Sequence, residues 1–222
     1  MDELRLRNFT NAAPVREDVR AFLGSALVAD WRQALIARGF GWHVQVGALT
    51  TPIVGGGNGT VLDLEQPELA INCPSGYCMI PLRIHVQVQP GLQTTDAHET
   101  EIIIGMDRTQ IQVAGTSTAE TPANLRTDIT SAAPFTSFSA YTADGNATPI
   151  ITELARKQAV TDVQTAVGVN VYQLDLVYEP VNPPFLIGPG NISVWFGGDI
   201  ATPGYIQATV IAIPATLLTS LA

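Results

Sequence analysis

Along Arg83-Ile-His-Val-Gln-Val-Gln89, Ile84, Val86 and Val88 fall on one side of an extended chain, and Arg83, His85, Gln87 and Gln89 on the other. A period of two marks a β-strand with one apolar and one polar face. The same signal recurs at Trp42 to Gly47, Thr60 to Leu64, Glu101 to Ile104 with Gln110 to Val113, Phe135 to Tyr141, Val169 to Tyr178, Ile192 to Phe196 and Tyr205 to Ile213. Turn chemistry separates these runs: Gly55 to Gly59, Pro90-Gly91, Asp144-Gly145-Asn146, Pro183-Pro184, Gly188-Pro189-Gly190 and Pro203-Gly204. The pattern predicts about eight strands.

Before Phe40 the period changes. Val15, Val19, Phe22, Leu23, Ala26, Leu27, Ala34 and Leu35 recur at three- and four-residue spacing, with Arg and acids opposite. Pro14 suits a first helical turn and Gly39 a C-terminal stop, so Pro14 to Arg38 is expected to be one amphipathic helix, bent near Gly24 and Ser25. Its apolar stripe is read as packing on the chain's own sheet or on a neighbouring subunit, ahead of a membrane, because its polar face carries acids as well as Arg. The division expected is a helical segment over residues 1–40 and one β domain over 41–222.

Irregular strand spacing argues against the even hairpins of an up-and-down barrel and for an all-β, antiparallel two-sheet sandwich. Asp107 to Pro134 and Asn146 to Gly168 are too long for hairpin turns. The second contains Ile150 to Val160, with Glu153 and Arg156-Lys157, which reads as a short helix across one end. The Thr-, Ser- and Ala-rich stretch from Ala114 to Ala140 reads as an elaborated loop.

Composition narrows the class. Of 222 residues 14% are charged, against roughly a quarter in an average soluble protein, while 46% are hydrophobic. Much of the surface is therefore uncharged or covered by neighbours. The net charge is −9, with six Arg against five acids up to Phe40 and five basic residues against fifteen acids beyond it. An acidic body with one Lys cannot neutralise a run of phosphates, which argues against nucleic acid and against an anionic membrane as the main partner. The N-terminal Met-Asp-Glu-Leu-Arg-Leu-Arg lacks the order of a secretory signal, so synthesis in the cytosol is expected.

Candidate chemistry is sparse. Asp96, His98 and the chain near Glu101 offer oxygen and nitrogen ligands to a divalent ion, but a solvated acidic turn explains them as well. His43 and His85 alternate with apolar residues and read as polar-face histidines. Cys73 and Cys78 flank a Pro-Ser-Gly turn; they either close a small disulfide in an oxidising setting or stay reduced structural thiols, the reading preferred here. No G-x-S-x-G elbow is present, and Gly55 to Gly59 lacks the Lys-Ser/Thr of a phosphate loop and reads as a loop tip. The three tryptophans, Trp31, Trp42 and Trp195, read as framework. Four Asn-x-Ser/Thr sequons, at Asn8, Asn58, Asn146 and Asn191, follow from a chain with twenty-three Thr. The expectation is no enzyme, no catalytic residue, no metal, no cofactor and no small-molecule substrate.

Pro183-Pro-Phe-Leu-Ile-Gly-Pro-Gly-Asn-Ile-Ser-Val-Trp-Phe196, followed by Tyr205-Ile-Gln-Ala-Thr-Val-Ile-Ala-Ile213-Pro214, resembles the last two strands of jelly-roll viral coat proteins. There a Pro/Gly-rich loop feeds one strand and the final strand ends near the C-terminus. The likeness, of strand order and loop style, covers Phe40 to Pro214. The acidic body and the lack of an Arg-rich arm depart from small RNA-virus coats. The chain looks more like the single-barrel capsid subunits of tailless double-stranded DNA viruses with an internal membrane. That resemblance implies a jelly-roll domain in a virion shell, built from copies of itself and other capsid proteins. It implies no direct contact with nucleic acid, and leaves the N-terminal helix as a candidate contact with the internal membrane. Another class, a carbohydrate- or receptor-binding sandwich such as a spike or adhesin head, uses the same strands with function in the loop tips.

Overall fold

The computed structural model describes residues 30–48, 50–55, 57–58, 62–89, 98–142, 149–161, 173–198 and 202–219. The elements run α1 (Trp31–Ala37), β1 (Gly41–Val46), β2 (Ile53–Val54), β3 (Gly57–Asn58), β4 (Leu69–Cys73), β5 (Tyr77–Val88), β6 (His98–Asp107), β7 (Thr118–Glu120), β8 (Ala123–Asn124), β9 (Thr136–Ser139), β10 (Ile151–Thr161), β11 (Leu174–Tyr178), β12 (Leu186–Ile187), β13 (Gly190–Gly198), β14 (Pro203–Pro214) and α2 (Thr216–Thr219). Sheet one has the order β11-β5-β14-β1-β8, with β12 beside β5 and β2 beside β14. Sheet two has the order β10-β6-β13-β4-β9-β7, with the short β3 added to β13. The strands pair antiparallel except at β3, which runs parallel to β13.

Alternation explains how the sheets meet. Trp42, Val44 and Val46 of β1, Ile84, Val86 and Val88 of β5, and Ile206, Ala208 and Val210 of β14 point from sheet one into the space between the sheets. Ile102, Ile104 and Met106 of β6 and Ile192, Val194 and Phe196 of β13 answer from sheet two. Burial of this apolar surface is what drives the two layers together.

Several expected elements take another form. Residues 150–160 do not form a helix: Ile151–Thr161 is a strand paired along β6 from Ile151↔Asp107 to Thr161↔His98. The register shifts between Glu153 and Ala155, and this irregularity puts Leu154 and Ala155 next to each other against the core. A bulge breaks the period of two, so Leu154, Ala155 and Ala159 mimic helical spacing. β4, Leu69–Cys73, is buried at every position and offers no alternation to read. Residues 62–64 and 110–113 are not strands, although period two marked both. In the first, Asp63 Oδ1 accepts the Glu65 amide at 2.9 Å in a turn. In the second, side chains from sheet two bind the backbone. Pro203-Gly204 opens β14 where a turn was expected, paired with β2.

Gly55, Gly57 and Asn58 also depart from a loop tip. Gly57 and Asn58 lie along Gly197 and Gly198, and a Cβ on Gly55 would sit 2.2 Å from the Phe196 carbonyl oxygen. Glycine here permits backbone to lie against backbone.

The helix Trp31–Ala37 begins at Asp30, whose backbone is extended (ψ 136°) and whose side chain accepts the Arg32 amide. A continuous helix through Asp30 is thereby excluded, and residues 14–29 of the expected helix lie outside the described residues. Gly39, at φ +86°, ends the turn as expected. Leu35, Ile36, Phe40 and Leu218 cover Cys78, Ile80, Leu82, Ile211 and Ile213 on the outer face of sheet one, a second core. The described part of the helix therefore packs on the chain's own sheet.

Candidate functional site

At β13 and β4 the outer face of sheet two is buried by loops. β13 turns Asn191, Ser193 and Trp195 outward, yet all three are at most 1% exposed. Asn72 Nδ2 donates to the Gln112 carbonyl at 2.7 Å, and its Oδ1 accepts the Gln112 amide at 2.9 Å, so one side chain pairs with the loop as a strand would. Asn191 Nδ2 donates to the Gln110 carbonyl at 2.9 Å, and Ser193 Oγ to Asn191 Oδ1 at 2.7 Å. Trp195 Nε1 donates to the Leu64 carbonyl at 3.1 Å. Asp107 accepts from the Thr109 amide (2.7 Å) and hydroxyl (2.6 Å), the Ile150 amide (3.0 Å) and Gln110 Nε2 (3.4 Å). Burial raises its carboxyl, but the hydrogen bonds from Thr109, Ile150 and Gln110 outweigh burial and hold it below the ordinary value. These groups are structural: apart from the Ser193–Asn191 bond within β13, the bonds named hold loop backbone and side chains to the sheet.

The outer face of sheet one is divided. Its apolar end lies under α1 and α2, whereas the other end carries His43, Gln45, Arg83, His85, Gln87, Asp175, Tyr205, Gln207 and Thr209 across β1, β14, β5 and β11. His85 Nε2 lies 2.5 Å from Asp175 Oδ1 and packs edge-on to Tyr205. His43 Nδ1 lies 3.4 Å from Thr209 Oγ1, and burial lowers its pKa. Both histidines thus take the polar-face positions expected of them.

The sequence candidates do not converge. Asp96 and the His98 side chain lie outside the described residues. Glu101 Oε1 accepts from Arg156 and from Gln158 Nε2, and Arg156 also grips Glu153, so this carboxylate belongs to a cross-strand cluster. Among the described residues no group of three His, Cys, Asp or Glu side chains is placed to hold a metal. Cys73 and Cys78 are free and buried, and burial pushes both thiols up to about 11. Such thiols are poor nucleophiles. Trp42 and Trp195 are buried framework, whereas Trp31 is 42% exposed, its ring under the Arg32 guanidinium. Asn191 is fully buried and closed to a glycan.

Described residues line two depressions of moderate size. One, about 170 Å³, is lined by residues including Glu99, Thr100, Glu101, Gln158 and Gly198; the other, about 360 Å³, by Asn72, Pro74, Ile111, Ala133, Pro134, Phe135 and Thr136. Neither joins a nucleophile to a base.

Sequence reading missed the side-chain amides that stitch loop to sheet and the tie from α1 to the 179–189 loop, where Arg32 Nη2 donates to the Pro180 and Val181 carbonyls at 3.0 and 2.6 Å. The Asn and Gln residues at 72, 110 and 191 are signals of such stitching only once strand positions are known. Compared with protein-family models, curated proteins and solved structures, the chain matches none.

Proposed function

We propose that the chain is a jelly-roll shell subunit, a structural virion protein that assembles through lateral contacts between copies of itself. One observation carries the reading. Among the described residues, eight strands have five residues or more: β1, β4, β5, β6, β10, β11, β13 and β14. Numbered one to eight along the chain, they take the order one-eight-three-six in sheet one and two-seven-four-five in sheet two. Each sheet thus interleaves early and late strands, the arrangement expected of two Greek keys rolled together. Such folds serve viral coats, and also lectins and enzymes, so the order alone does not choose among them. The choice of a shell rests on a low charge density, 14% of residues charged against 46% hydrophobic, since uncharged surface is cheap to desolvate between subunits.

Light scattering and electron microscopy of the purified chain test this: closed, regular particles are expected, and a monodisperse monomer at every concentration overturns it. The second reading, a carbohydrate- or receptor-binding sandwich, draws on the open polar half of sheet one, where Tyr205 and the Gln45, Gln87 and Gln207 amides offer a ring and paired donors and acceptors. Glycan-array binding lost in Tyr205→Ala, by a protein that does not assemble, would favour it.

A further inference from the structure

The apolar end of sheet one is a floor wider than its cover. Register places Ile211 beside Ile80 and Ile213 beside Cys78, and β12 continues the second row with Ile187 beside Cys78. Leu186 points into the main core, so its neighbours Phe185 and Ile187 face outward. α1, Phe40 and α2 cover the columns of β14 and β5. Among the described residues nothing covers the third column: Phe185 is 50% exposed, Ile187 60% and Val181 85%.

This column is held in place before anything binds. Arg32 fixes the Pro180 and Val181 carbonyls, the Gly188 amide donates to the Tyr77 carbonyl at 3.0 Å, and β12 is paired to β5. A partner that lands here pays little to order the loop. Charge decides which partner. From Pro180 to Ala222 the only charged side chain is Asp199, in a chain of net charge −9. Two copies meeting here bury a column that carries no charge of its own, and the flanking acids are engaged within the chain, Asp30 with the Arg32 amide and Glu179 with Arg83. An anionic lipid surface requires free cations, and the nearby Arg32 is committed to backbone carbonyls.

We propose that the open column of Phe185 and Ile187, with Val181, is the seat of a second copy of this chain. The inference rests on the self-assembly reading above and names where one contact lies.

The test places a photo-crosslinking benzoylphenylalanine at position 185 of the full-length chain, which keeps an aromatic ring there. Irradiation of the assembled protein is expected to give a chain-to-chain adduct of twice the monomer mass under denaturing conditions. An adduct only within the chain, for example to residues 1–29, or no adduct, overturns the proposal. In parallel, a Phe185→Glu/Ile187→Glu variant that keeps the wild-type circular dichroism spectrum is expected to need at least about tenfold more protein to assemble, the size of a single lost apolar contact of about 1.4 kcal/mol. Unchanged assembly by that folded variant overturns the proposal; should it fail to fold, the crosslink decides. Wild-type protein that stays monomeric removes the self-assembly reading and this inference together. Wild-type protein that assembles with no interchain adduct at 185 removes this inference alone.

Discussion

Asp107 shows how much of this fold depends on single polar side chains. It is 1% exposed and its carboxylate accepts four hydrogen bonds, so removing it orphans two backbone amides, Thr109 and Ile150. Asp107→Ala is expected to lower unfolding free energy by about 2–4 kcal/mol, measured by urea denaturation, since hydrogen bonds to a charged group contribute about 1.5–3 kcal/mol each and partly overlap. The pH dependence has a fixed sign. Because its folded pKa lies below the unfolded one, its contribution is complete above the unfolded value near ~4 and is lost as pH falls through the folded value. Asp107→Asn should therefore lose stability less steeply below about pH 4 than the wild type. The cysteines make a second prediction: with both thiols buried and pushed up to about 11, neither should react with a disulfide reagent at about pH 8 until the chain unfolds. Prompt native-state labelling of either would contradict their burial. Spacing left disulfide and free thiols both open. The structure separates them, with Cys73 in the core between the sheets and Cys78 under α1 on the far face of sheet one.

Elements were legible where one face is wet and one dry. β1, β5 from Arg83 onward and β14 as far as Val210 follow alternation, because their outward positions there are not covered by α1 and α2. β4 was hidden because loops bury its outer face as well, and β10 because its bulge re-phases it. The Gly55 segment failed for a third reason: its glycines answer to a strand more than a hundred residues away, a contact no local window contains. That contact is testable. Gly55→Ala places a methyl 2.2 Å from the Phe196 carbonyl oxygen, a backbone atom that cannot swing aside. A loss of about 1–3 kcal/mol is expected from such overpacking, with the sheet content unchanged by circular dichroism. No loss would mean that the chain at Gly55 is not seated against β13. At the helix, Leu35 and Ile36 close the second core, so Leu35→Ala/Ile36→Ala is expected to cost about 2–3 kcal/mol, less than two full core truncations because both are only half-buried. An unchanged thermal midpoint would show that α1 does not hold the sheet.

For the whole molecule, charge sets the terms on which copies meet. The all-β class could be read from the chain, but the full set of strands and their order could not, since pairs such as β1 with β14 join segments at opposite ends of the domain. No candidate site emerged from sequence because the residues with chemistry are spread over faces and spent on structural bonds. What remains at this scale is a net charge of −9 with the C-terminal forty-three residues nearly free of charge. If copies associate through apolar surface such as Phe185 and Ile187, screening does not weaken the contact, because burial of apolar area does not depend on ionic strength as exposed ion pairs do. Screening does weaken the repulsion between two like-charged bodies. Raising salt from about 0.1 M to about 1 M shortens the Debye length from roughly 10 Å to roughly 3 Å. Assemblies are therefore expected to persist over that range, and the protein concentration needed to form them to stay level or fall, as read by light scattering. Dissociation with rising salt would mean that ion pairs hold the copies together, contrary to an uncharged contact.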